Sequence, residues 1–93
     1  MPRITTHPGE VLAEEFMKPL GLSARALGAA IGVPGNRVSE LVRKRRDVSA
    51  DTAIRLAGYF DTDPRFWLNL QAAYDLSQAE KEHDYSRLTR RVA

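Results

Sequence analysis

Between Leu22 and Arg46 the chain has room for two short helices and a sharp turn between them. Ser23 is placed to cap the first, because its hydroxyl can accept from a backbone N–H that the helix start leaves unpaired. Leu27, Ala30 and Ile31 form one apolar stripe, which predicts a helix through Ala30 or Ile31. Gly32 stands where a left-handed residue ends a helix, and Pro34 suits the opening of the next. In that next helix Val38, Leu41 and Val42 are expected inside, with Asn36, Arg37, Ser39, Glu40 and Arg43 outside. So short a connection brings the two helices together at a steep angle. Gly28 lies where they would meet and is expected to serve that close approach.

Charge is concentrated at the same place. From Asn36 to Arg46 there are five basic side chains (Arg37, Arg43, Lys44, Arg45, Arg46) and one acid, Glu40. This stretch carries +4 in a chain whose total is +2, so the remainder is net acidic. A helix pair that carries its cations on the second helix and the loop after it is suited to a polyanion. Read alone, Arg43 to Arg46 is equally an ordinary solvated charge run.

The remaining elements read as helices. Pro8 suits the first position of a helix in which Leu12, Phe16 and Leu20 share a face, and Pro19 should end its regular hydrogen bonding near Lys18. Glu10, Glu14 and Glu15 lie early in it, where the dipole favours anions. Ser49 caps a fourth helix with Ala53, Leu56, Ala57 and Phe60 inward. Asp63-Pro64 starts a fifth, with Phe66, Leu70, Ala73 and Tyr74 in one stripe. Ser77-Gln78-Ala79-Glu80 has the capping-box pattern and predicts a break there. The expected division is a domain over residues 1–76 and a C-terminal extension over 77–93, helical at first and partly disordered from about Asp84.

Ninety-three residues allow one domain with one modest core. Without cysteine there is no disulfide framework and no thiolate, which fits a cytoplasmic protein. No segment has the ~20 apolar residues of a membrane span or the pattern of a leader peptide. His7 and His83 are far apart, and the carboxylates near them lack metal-ligand spacing. H-E-x-x-H, G-x-S-x-G and phosphate-binding glycine loops are all missing. The expectation is a non-enzyme with no catalytic residue, no cofactor and no metal.

Four blocks in order carry a resemblance: His7-Pro8-Gly9-Glu10; Val33 through Leu41; Ser49-Ala50-Asp51-Thr52-Ala53 with Leu56 and Tyr59-Phe60; and Phe66-Trp67-Leu68-Asn69-Leu70-Gln71 with Ala73 through Leu76. Over roughly His7 to Glu80 the chain resembles the lambda-repressor-like helix-turn-helix family, and within it the HigA-type antitoxins of bacterial toxin–antitoxin modules. It departs from that pattern twice. No glycine follows the recognition helix, and position 35, which in the family often reaches a base, is glycine.

The resemblance implies an all-α, five-helix domain with a C-terminal helical extension. It implies a homodimer that binds operator DNA, represses its own operon and neutralises a HigB-type toxin, a small basic ribonuclease. Phosphate contact is then expected from Ser23 and Arg25 on one side and from Arg43, Lys44, Arg45 and Arg46 on the other. Reading of bases falls to the face from Gly35 through Asn36, Arg37, Ser39 and Glu40: asparagine suits adenine, arginine guanine, and glutamate the cytosine amino group. The plainer reading makes Asn36 and Ser39 surface residues and pairs Glu40 with Lys44. The dimer is expected through Trp67, Leu70 and Tyr74, with an exposed Trp67 as anchor; core packing is the plainer role for the two aromatics. For the toxin, the acidic first helix and the mixed-charge C-terminal region are both open. A stand-alone repressor without a toxin and a module that binds only protein remain alternatives.

Overall fold

The computed structural model describes residues 6–91. Five helices follow one another, and no strand occurs among the described residues. Helix α1 comprises α-helical Pro8–Val11, a π-helical stretch Leu12–Met17 and α-helical Lys18–Leu20. Helices α2 (Ala24–Ile31) and α3 (Gly35–Val42) pack on each other; α4 (Ala50–Phe60) and α5 (Pro64–Glu82) form a second pair. Helix α1 lies against α3 and α5, and α4 also meets α2.

Three helices start at a side-chain cap that the sequence marks. The Ser23, Ser49 and Asp63 side chains accept from the backbone N–H of Ala26, Thr52 and Arg65. Helix α2 ends at Gly32 with φ 76°. The core takes Leu12, Met17, Leu27, Ile31, Val33, Val38, Leu41, Val48, Ala53, Leu56, Ala57 and Trp67. Val42 and Phe60 are partly buried beside it.

Five expectations are corrected. Leu20 is 63% exposed, and Met17 takes its place inside. The π-helical stretch is the cause: the Lys18 N–H donates to the Ala13 carbonyl, five residues back, so the buried face steps from Leu12 to Met17. The wider turn also carries the Pro19 ring past the carbonyl it would strike in a continuous α-helix, so the helix runs on to Leu20. In α2, Gly28 is buried and Ala30 exposed, because the helix turns its glycine toward α3. In α5 the inward stripe is displaced by one residue. Trp67 is fully buried, and Phe66 stands 38% exposed. The indole meets Phe16 at 5.0 Å between centroids and donates from Nε1 to Thr62 Oγ1 at 2.9 Å, so it leaves no free face for a partner. Finally, α5 passes through Ser77 unbroken to Glu82; with Ser77 buried, the 76/77 division falls inside a helix. Beyond it, residues 83–91 are exposed and non-helical.

Two tight features hold α1. A Cβ at Gly9 would overlap the Leu41 carbonyl, so only glycine lets the start of α1 sit on the end of α3. Beside it, buried His7 caps α1: its Nδ1 accepts from the Gly9 N–H at 2.9 Å, and its ring meets Tyr74 edge-on at 4.8 Å. Burial lowers the His7 pKa from 6.5; Lys44 acts in the same direction and Asp47, Asp75 and Glu10 oppose it.

Gly9→Ala is expected to cost more than about 1 kcal/mol, because a backbone carbonyl must move; a urea titration reads this as a lower midpoint. A folded-state pKa below the unfolded one means that the neutral His7 contributes stability fully above pH 6.5 and loses it as the pH falls through the folded value. The urea midpoint should therefore hold steady above that pH and drop below it. His7→Asn, which keeps an acceptor without titrating, should flatten that drop.

Candidate nucleic-acid interface

The interface is built from α2 and α3 brought very close together. A Cβ on Gly28 would stand 2.8 Å from the Val33 carbonyl oxygen and 3.0 Å from the Gly35 Cα. A Cβ on Gly35 would stand 3.2 Å from the Arg25 Cα. The glycines thus seat the start of α3 on the start of α2. Gly28 serves the close approach expected of it. Gly35, expected at the reading face, has a packing duty as well.

This contact arranges the cations. Arg25 is exposed beside Gly35 and Asn36 at one end of α3; Arg43, Lys44, Arg45 and Arg46 are exposed at the other. Eight residues of α-helix separate the ends by roughly 12 Å, close to the width of a B-DNA major groove. Between the ends, Val38 and Leu41 are buried, Asn36 is exposed, and Arg37, Ser39 and Glu40 are half-buried on the outer side. Polar groups that can meet base edges therefore lie between two sets of groups that can meet phosphate.

The side chains differ in how they are held. Arg25, Arg43 and Arg45 have no ion pair or side-chain hydrogen bond with any described residue. Arg37 Nη1 lies 3.1 Å from Asp51 Oδ2, and Arg55 Nε holds the same oxygen at 3.0 Å. Arg55 Nη1 also donates to the Ile31 carbonyl at 2.8 Å. One chain of contacts thus links the outer face of α3, the first turn of α4 and the last turn of α2. The two arginines, Arg55 foremost, hold the Asp51 carboxyl below its usual pKa. Glu40 does not pair with Lys44. Its Oε1 takes Nε and Nη2 of Arg46 at 3.0 and 2.7 Å, while Lys44 Nζ turns to Glu10 Oε1 at 3.1 Å. The reason is local: α3 ends at Val42, and Lys44 takes φ 64°, which breaks the helical i, i+4 register. Lys44 thereby supplies the left-handed turn for which a glycine was absent. Ser23 spends its oxygen on the α2 cap, and its O–H remains able to donate outward.

Sequence reasoning missed Gln71. It is buried on α5, where its Oε1 accepts from the Val48 N–H at 2.7 Å. Its Nε2 donates to Asp47 Oδ1 at 3.2 Å and Asp75 Oδ1 at 3.0 Å. The loop that carries the basic block is thus pinned at its far end by an amide from α5. Arg55 was also missed, although its i, i+4 spacing to Asp51 was visible. Among the described residues no group of three or more His, Cys, Asp or Glu side chains is placed to hold a metal, and no helix is long and apolar enough to cross a membrane.

The geometry defines a helix-turn-helix module of the DNA-binding type, with α3 as its recognition helix. The chain belongs to the helix-turn-helix family, whose model matches residues 14–67, and within it groups with the HigA-type antitoxins. It is 54% identical over 82 residues to virulence-associated protein I of Dichelobacter nodosus, covering 88% of this chain and 74% of that one. The Pseudomonas aeruginosa antitoxin HigA, solved with the higBA promoter, superposes with a TM-score of 0.81 at 42% identity, over 91% of this chain and 99% of that one. Antitoxin GraA superposes at 0.84 with 53% identity over 85% of both chains. In complex with its operator, GraA superposes at 0.88 with 49% identity, over 95% of this chain and 92% of that one.

Gln71→Ala is expected to leave the buried Val48 N–H without its acceptor, at a cost of about 1–3 kcal/mol. Amide exchange should report it first at Val48, and a Val48 amide as protected as in the wild type would remove Gln71 as the pin.

Proposed function

We infer that this chain is an antitoxin that binds duplex operator DNA through α3, represses its own operon, and neutralises a small ribonuclease toxin. One observation carries the DNA half of this reading: unpaired arginines stand at both ends of an outward polar helix that is itself about as long as a major groove is wide. Kinship with HigA and GraA, each solved with its DNA, supports the same reading. Its field of action is the cytoplasm, where operator and messenger RNA both lie. No catalytic step is assigned to it.

Binding begins with phosphates. Arg43 and Arg45 release condensed counterions on one backbone and Arg25 on the other, which fixes register without reading sequence. Asn36 and Glu40 then face base edges. Glu40 uses only Oε1 for Arg46, so Oε2 is left to accept from a cytosine amino group. Arg37, steadied by Asp51, is placed for guanine or phosphate.

We place the dimer surface on α5. Trp67 is buried and cannot serve as its anchor; half-buried Leu70 and Tyr74 remain, joined by exposed Phe66 and Leu76. The toxin meets another surface, and the outward acids of α1 complement a basic partner.

Arg43→Ala or Arg45→Ala should weaken binding to cognate and random duplex alike and shallow the salt dependence by about one phosphate contact. Asn36→Ala should instead cost about 1–3 kcal/mol on the cognate duplex alone; equal loss on both would refute its reading role. The toxin half is tested by co-purification with the product of the adjoining gene, and a partner that neither binds nor loses its toxicity overturns it.

A further inference from the structure

The segment after α5 has a character of its own. From Tyr85 to Ala93 the sequence contains Arg87, Arg90 and Arg91 and no acid. Residues 83–91 are exposed and form no helix. The chain bends sharply as it leaves α5: the Ser86 N–H donates to Asp84 Oδ1 at 2.9 Å, and the Leu88 N–H to the Tyr85 carbonyl at 3.0 Å. Asp84, the acid closest in sequence, is engaged in that bend. The three arginines make no ion pair or side-chain hydrogen bond with any described residue. They are a second block of free cations.

Chain length puts it within reach of the first block. Helix α5 passes the loop after α3 at Gln71, which holds Asp47 and Val48, and passes the start of α1 at Tyr74, which meets His7. There Glu10 is paired to Lys44. The last two turns of α5 run on from this point to Glu82, roughly 16 Å along the helix from Gln71. Nine residues from His83 to Arg91 reach up to roughly 30 Å when extended, nearly one turn of duplex. The match to operator-bound GraA covers 95% of this chain, a length that includes residues beyond α5.

We propose that Tyr85 to Arg91 form a cationic arm that lies on duplex phosphates bordering the footprint of α3, with Arg87, Arg90 and Arg91 as its contacts. The arm rests on the DNA-binding reading above and extends it to a part of the chain outside the helix-turn-helix. Cations without acids and few apolar groups suit a phosphate backbone, and an extended segment can follow one without folding.

The test compares the full chain with its Arg87→Gln/Arg90→Gln/Arg91→Gln variant on a mixed-sequence duplex of about 40 base pairs across a salt series. If all three arginines meet phosphate, the slope of log affinity against log salt becomes shallower by about 2.7 per arm, and affinity near 0.1 M salt falls about tenfold or more. Thermal melting should be unchanged, since no described contact is lost. Cutting the duplex to about 20 base pairs should narrow the difference, because the flanking phosphates are gone. Equal slopes for the two proteins, with Arg45→Ala still shallower, would overturn the arm and leave the helix-turn-helix reading intact. Absence of duplex binding by the wild type would overturn both. Unchanged DNA binding with lost capture of the co-expressed neighbouring gene product would reassign the arm to a protein partner.

Discussion

The contact between Gly28 on α2 and the Val33–Gly35 segment decides how α3 is presented. Backbone lies on backbone there, so a single methyl group would have to move a carbonyl oxygen or the start of a helix. Every cation of the interface takes its position from that seating: Arg25 because Gly35 rests on it, and the basic block because α3 ends where its start and pitch dictate. Apolar burial alone would not fix this angle, since Leu27, Ile31, Val38 and Leu41 can be covered in several orientations. The glycines remove that freedom; Arg55, bonded to the Ile31 carbonyl, ties α2 to α4, and Arg37, paired with Asp51, ties α3 to it.

The loop after α3 is held differently at its two ends. At the near end Lys44 turns the chain left-handed at φ 64°, a conformation that costs a side chain about 1 kcal/mol relative to glycine. Its ammonium meets Glu10 there, but an exposed pair of this kind contributes little. At the far end Gln71 supplies a buried amide with all its bonds made. The far end is therefore the firm one, and the arginines between stand on a loop anchored to α5. If α5 also carries the dimer surface, as proposed, protomer pairing and phosphate contact would share one helix.

Caps and turns were plain in the sequence because each depends on one or two residue types. Ser23, Ser49, Asp63-Pro64 and Gly32 all fall where expected. Hydrophobic phase was harder to read. Phe66 and Trp67 are adjacent and both large, so the stripe on α5 could be drawn through either; Thr62, which accepts from the indole, decides it only in three dimensions. The π-helical stretch in α1 moves the buried face from Leu20 to Met17, and no fixed period signals it. Gln71 escaped notice because a pattern search treats a polar residue on an inward face as an interruption. Its role depends on Asp47 and Val48, more than twenty residues earlier. At the interface, the identities of the cations were legible, but their pairing was not, since it depends on where α3 stops.

That pairing bears on how affinity and selectivity divide. Lys44 and Arg37 sit in ion pairs open to solvent, each worth roughly 0–1 kcal/mol, so exchanging a carboxylate for a phosphate would cost them little. Arg25, Arg43 and Arg45 have nothing to exchange, and in the proposed complex they would act as the steering charges at long range. In the DNA-bound state proposed above, Glu40 makes the opposite contribution. A carboxylate beside phosphates raises the free energy of every complex, and Arg46 offsets part of that for all sequences equally. Only a base that donates to Oε2 offsets the rest. A repelling group in the middle of an attracting surface thus weakens binding to duplex in general more than to a duplex with a donor at that step. In the proposed complex, selectivity at the position of Glu40 would arise from that difference, while the flanking arginines would set the strength common to all sites.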